Sequence, residues 1–143
     1  MFFIFHINLE KYPMKFARII FAVALLAAPV TAFAHGPSVG PHSGMMADAG
    51  AHHTELVIQG NEIVLYITDG DGKAADATGA KAEATVLAGK QAQKVTLVPA
   101  GGNVMKGTAN LDDAHDGVKV VTVLTMPGQK PAQVRFEMMR AGH

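Results

Sequence analysis

The chain has no cysteine and no tryptophan in its 143 residues. The first absence excludes disulfides, thiolate zinc sites, a thiol nucleophile and a lipid anchor carried on cysteine. Charged residues make up only 17%, and the 12 basic side chains are matched by 12 acidic ones. That balance leaves no basic surplus for a nucleic-acid partner. Catalytic signatures are missing too. There is no Gly-x-Ser-x-Gly elbow and no phosphate-binding glycine loop. Ser38 and Ser43 sit in a Gly/Pro-punctuated stretch, with nothing rigid to hold a base beside them. An apolar share of 49% is too high for a disordered chain, and the length suits one ordinary domain.

Long apolar runs are also scarce. The main one, Ile19 to Ala28, is ten residues, against roughly 20 for a membrane span. It follows the basic start Met14-Lys15-Phe16-Ala17-Arg18, breaks at Pro29, and ends in Ala32-Phe33-Ala34. This is the grammar of a secretory signal over 1–34, with cleavage after Ala34 and no membrane anchor afterwards. Residues 1–13 fit neither a signal start nor a domain and read as an over-extended start before Met14. The expected location is the periplasm. Cleavage keeps six of the seven histidines and six of the eight methionines, and leaves a net charge of about −2.

What remains divides into an arm and a β-rich domain. Residues 35–52 carry Gly and Pro and show no apolar periodicity, which predicts a flexible His/Met-rich arm. From 53 to 143, β-type runs alternate with turn signals. The runs are His53–Gln59, Glu62–Thr68, Lys81–Ala88, Ala92–Val98, Val104–Leu111, Val118–Met126 and Ala132–Met139. Seven regularly spaced strands without a helical stretch predict an all-β, antiparallel, immunoglobulin-like sandwich, with a five- or six-stranded barrel as the alternative. The core should rest on Val, Ile and Leu, with Tyr66 and Phe136 its only aromatics. Asp69-Gly70-Asp71-Gly72 begins like a calcium loop, but Ala80 stands where the glutamate ligand is needed. A hairpin turn is the reading.

The chemistry-bearing residues are histidine and methionine. His35, His42, Met45, Met46, His52 and His53 fall close together, while Met126, Met138, Met139 and His143 gather near the other end. Thioether sulfur selects soft Cu(I) or Ag(I), and imidazole accepts copper, zinc or nickel. In an oxidising compartment these two side chains are the ligands left for Cu(I). His35 becomes the first residue after cleavage, so its amine and imidazole can chelate together. Pro37 lacks an amide proton and excludes a square-planar site on consecutive backbone nitrogens. Met105, Met126 and Met138 also fit plain core filling.

The start His35-Gly36-Pro37, with Leu65-Tyr66-Ile67-Thr68-Asp69-Gly70-Asp71-Gly72-Lys73 and Ala82-Glu83-Ala84-Thr85-Val86, resembles small periplasmic immunoglobulin-like proteins of metal homeostasis, the CopC-like and YtkA-like groups. The resemblance implies metal binding or delivery, without turnover, beside an efflux or delivery protein. The expectation is therefore a copper-binding periplasmic protein that is not an enzyme. A non-metal adaptor sandwich of the cell envelope, working through an exposed strand edge, is the alternative. A histidine-clamp oxidase is a third and less supported class.

Overall fold

A computed structural model describes residues 38–112 and 117–138. Residues 1–34, the expected signal, together with His35, His115, Met139 and His143 lie outside the described residues. Eight strands follow one another: β1 (Met45–Ala49), β2 (His52–Gln59), β3 (Glu62–Thr68), β4 (Lys81–Ala88), β5 (Gln91–Pro99), β6 (Val104–Thr108), β7 (Val118–Thr125) and β8 (Ala132–Met138). No helix occurs among the described residues. All strand pairs are antiparallel, in the order β1-β2-β3-β6-β5-β4-β7-β8. The two outer strands, β1 and β8, come back beside each other without pairing, so the sheet forms a nearly closed, barrel-like layer.

Seven strands coincide with the sequence-derived runs to within a few residues. The eighth, β1, falls inside the stretch read as a flexible arm. Met45, Ala47 and Ala49 alternate toward the core and Met46 and Asp48 away from it, and register with β2 runs from Met45↔Leu56 to Ala49↔His52. Met46 is apolar on the outward side and Gly50 follows at once, so the period-2 signal is blurred. The all-β, antiparallel expectation holds, with eight strands in one almost continuous sheet where seven were expected.

Short hairpins explain the register. Gly50, Gly60 and Gly89 each take the first position of a two-residue turn, with φ of 60°, 60° and 59°. Only glycine adopts that conformation without strain, and its twist suits two adjoining strands. The Asp69 turn is local as well: Asp69 Oδ1 accepts hydrogen bonds from the N–H groups of Asp71 and Lys73, both at 2.9 Å.

The alternate residues of each strand fill the interior. Leu56, Ile63, Leu65, Ile67, Val86, Leu97, Met105, Val120, Leu124 and Phe136 are fully or nearly fully buried. Met105 and Met126 are core side chains, as their filler reading expects. Tyr66 is not. It points to the outer face, opposite Glu55 in the register, so Phe136 is the only aromatic in the core among the described residues.

Candidate functional site

Strand alternation decides which of the expected ligands can meet. On β1 and β2 the outer face carries Met46 opposite Glu55 and Asp48 opposite His53, while the inner face carries Met45 opposite Leu56 and Ala49 opposite His52. Neighbours in sequence therefore point to opposite sides of the sheet. Of the six expected ligands, His42, Met46 and His53 lie on the outer side, Met45 and His52 on the inner side, and His35 outside the described residues. They do not form one centre. Among the described residues, no three His, Asp or Glu side chains gather into a metal-sized group.

The outer side holds a built arrangement around Glu55. Residues 38–44 fold back as a strap, with Ser38 O accepting from Met46 N–H at 2.9 Å and Gly44 O accepting from Gly40 N–H at 2.9 Å. The strap passes so close to β2 that a Cβ on Gly40 would overlap the Glu55 carboxyl and Met46 Sδ. A Cβ on Gly44 would lie 2.5 Å from Leu56 O. Glu55 is only 3% exposed beneath this cover. Its Oε1 accepts from His42 N–H at 2.8 Å and Gly44 N–H at 2.9 Å, and its Oε2 meets His42 Nδ1 at 2.8 Å. The His42 ring also stacks flat on Tyr66, with centroids 3.7 Å apart and planes 4° off parallel.

A buried carboxylate is costly unless its lone pairs are used. Here three donors use them. Burial pushes the Glu55 carboxyl up, but the bonds from the His42 ring, the Gly44 N–H and the His42 N–H together outweigh it and hold the group below its ordinary value. The acceptor at Oε2 also sets the imidazole tautomer: the proton sits on Nδ1. The His42 side chain is 46% exposed, so the far side of the ring is open to solvent. A carboxylate that fixes the ring and raises the basicity of the other nitrogen is the usual support behind a metal-binding histidine.

His53 is held in the same manner, with Nδ1 at 2.6 Å from Asp48 Oδ1. The hydrogen bond to Asp48 raises its pKa above the ordinary histidine value. Both partners are well exposed, so this pair contributes little to stability.

These shifts have opposite signs in pH. Because the folded Glu55 is the stronger acid, its contribution is present above the ordinary glutamate range and disappears as pH falls through its lowered value. The strap should therefore stay closed at pH 5 and release only in stronger acid, seen as loss of the protected His42 and Gly44 amides in hydrogen exchange. Glu55→Ala, which removes the acceptor for three donors, should cost about 2–3 kcal/mol. In that variant these amides should exchange fast at every pH. Equal protection in the variant would disprove the latch.

A second feature lies at the gap between β1 and β8. An open groove of about 810 Å³ is bordered by Ser38, Val39, Met45, Met46, Arg135 and Met138, with Leu56 and Ile58 behind them. Met45 and Met46 of the expected site and Met138 of the C-terminal group all border it. Sequence spacing had no means of joining these ends, and nothing in it marks Glu55 or Tyr66 as supports of His42.

Comparison with family models, curated proteins and solved structures finds no match to this chain.

Proposed function

We propose that this is an exported, periplasmic metal-binding protein that holds Cu(I) or Ag(I) for buffering or delivery and performs no turnover. The observation that supports this reading is that Met45 and Met46, on opposite faces of β1, and Met138 of β8 all border one groove. Thioethers are soft donors, which suits monovalent copper or silver. His42, with Nδ1 tied to Glu55 and Nε2 outward, supplies a borderline donor on the strap beside Met46. In this reading the sheet, with β1-β2-β3-β6 on one side and β5-β4-β7-β8 on the other, is kin to the immunoglobulin-like CopC-like and YtkA-like domains. Delivery to an efflux or carrier protein follows from that kinship.

The test is competition for Cu(I) against a colorimetric chelator, with Zn(II) measured in parallel. Met45→Leu with Met46→Leu should weaken Cu(I) binding by about tenfold or more and leave Zn(II) nearly unchanged, since only sulfur is removed. Adding Met138→Leu should weaken it further. The histidine share of the affinity should fall as pH drops through about 6.5, because protonated imidazole cannot coordinate. Unchanged Cu(I) affinity in the triple variant would end the proposal for this groove.

A further inference from the structure

We propose that the outer face of the β4-β5-β7-β8 half of the sheet is a docking surface for an anionic lipid bilayer, on which the chain rests as a peripheral protein. Nothing in this depends on metal binding.

The two halves of the sheet carry opposite charge. Lys81, Lys90, Lys94, Lys119, Lys130 and Arg135 lie on β4, β5, β7 and β8 or in the turns that join them. Only Glu83 and Glu137 stand against them, which leaves a net charge of +4. Both carboxylates already have a lysine beside them, Lys94 at 3.6 Å and Lys119 at 3.9 Å. The described residues of β1, β2, β3 and β6, with the loops that follow them, hold seven carboxylates against Lys73 and Lys106, a net of −5. A near-neutral total thus conceals a strong charge asymmetry, and such a field orients a molecule toward a charged surface.

Strand register gathers the cations on one surface. Arg135 lies opposite Val121, Val121 opposite Thr85, and Thr85 opposite Lys94. The adjacent row runs Glu137, Lys119, Leu87 and Ala92. The residues that alternate with these, among them Ala84, Val86, Val120 and Val134, are buried, so both rows look away from the core. Lys81 borders a shallow outer hollow with Val98 and Val123, and Lys90 and Lys119 border another with Leu87. All six cations are exposed. Leu87, Val98 and Val123 are three of the four large apolar side chains that stand exposed among the described residues.

Composition selects the partner. Protein interfaces are poor in lysine and rich in aromatic side chains. This face has five lysines to one arginine and presents no aromatic ring among the described residues. Lysine is a point charge on a flexible stem, and near an anionic bilayer each one contributes without a fixed geometry. The exposed aliphatic side chains between the cations can settle at the headgroup boundary, where apolar burial adds to the electrostatic attraction. Repulsion of the acidic half then turns β2, β3 and the Asp69 turn toward solvent.

Co-sedimentation of the purified protein with vesicles tests this. Vesicles of phosphatidylcholine mixed with phosphatidylglycerol should carry the protein down at low ionic strength, and vesicles of phosphatidylcholine alone should not. Binding should fall steeply as salt is added, because the contacts are exposed and screened. Lys81→Glu with Arg135→Glu should lower the partition coefficient by about tenfold or more. Lys73→Glu, the same kind of reversal in the acidic half, should change it by less than about twofold. Circular dichroism checks that the variants are folded. If the double reversal fails to fold, Lys81→Gln with Arg135→Gln should weaken binding by a smaller factor. Val123→Asp sets a carboxylate in the middle of the face and should also weaken it. Equal binding to neutral and anionic vesicles overturns the proposal, as does a loss with Lys73→Glu as large as with the double reversal. Absence of binding to anionic vesicles at low salt overturns it too, and would leave an acidic protein as the partner for this face.

Discussion

An aspartate at Val120 should unfold the domain, while an aspartate at Val123, three residues along the same strand, should be tolerated. Val120 is 0% exposed and lies between Val86 and Phe136 in the register, both of them buried. Val123 is 40% exposed on the outer face. An unpaired carboxylate in the interior costs several kcal/mol, and a domain of this size has roughly 5–15 kcal/mol in all. This core has little in reserve. Many of its buried positions are alanines, among them Ala49, Ala77, Ala80, Ala82, Ala84, Ala88 and Ala109, and Phe136 is its single described aromatic. Circular dichroism at 25 °C should show loss of β structure for Val120→Asp and a near-normal melting curve for Val123→Asp. Two equally stable variants would contradict the facing of β7.

The second large effect is expected from deleting residues 38–49. A solvated arm would leave the thermal midpoint unchanged. Here the deletion removes β1 and the strap, uncovers Leu56 and strips the donors from the buried carboxylate of Glu55. The lost latch alone is about 2–3 kcal/mol, and burial by Met45, Ala47 and Ala49 adds to it. A fall of roughly 10 °C or more in the calorimetric midpoint is the expected result. A midpoint within a degree or two of the intact protein would show that β1 and the strap contribute no stability.

The contrast between those two regions shows where sequence patterns succeed. In β7 the alternation of Val118, Val120, Thr122 and Leu124 with Lys119, Val121 and Val123 marks a strand, and a buried partner on each side keeps it one. It does not say which face is inside, because valine stands on both. In β1 the inward row is Met45, Ala47 and Ala49, too weak to stand out beside an outward methionine and flanking glycines. Its stability comes from β2 and from the strap, both supplied by other parts of the chain. The strap itself depends on Glu55, whose partner His42 lies thirteen positions away. No local pattern signals such a bond, since a glutamate in a strand ordinarily points to water.

From the sequence alone follow the all-β character, the antiparallel hairpins with glycine at their turns, seven of the eight strands, the tight turn at Asp69, and the pool of histidine and methionine donors. These are local properties: period-2 burial, turn stereochemistry and side-chain softness act over a few residues. The tertiary structure decided the rest. It turned part of the arm into an outer strand, returned β1 beside β8 to make a nearly closed sheet, and set Met138 on the border of the same groove as Met45 and Met46. It also sent His42, Met46 and His53 to one face and Met45 and His52 to the other. Those outcomes depend on register and on sheet closure, where a shift of one residue reverses every side chain. They are set by contacts between segments far apart in the chain.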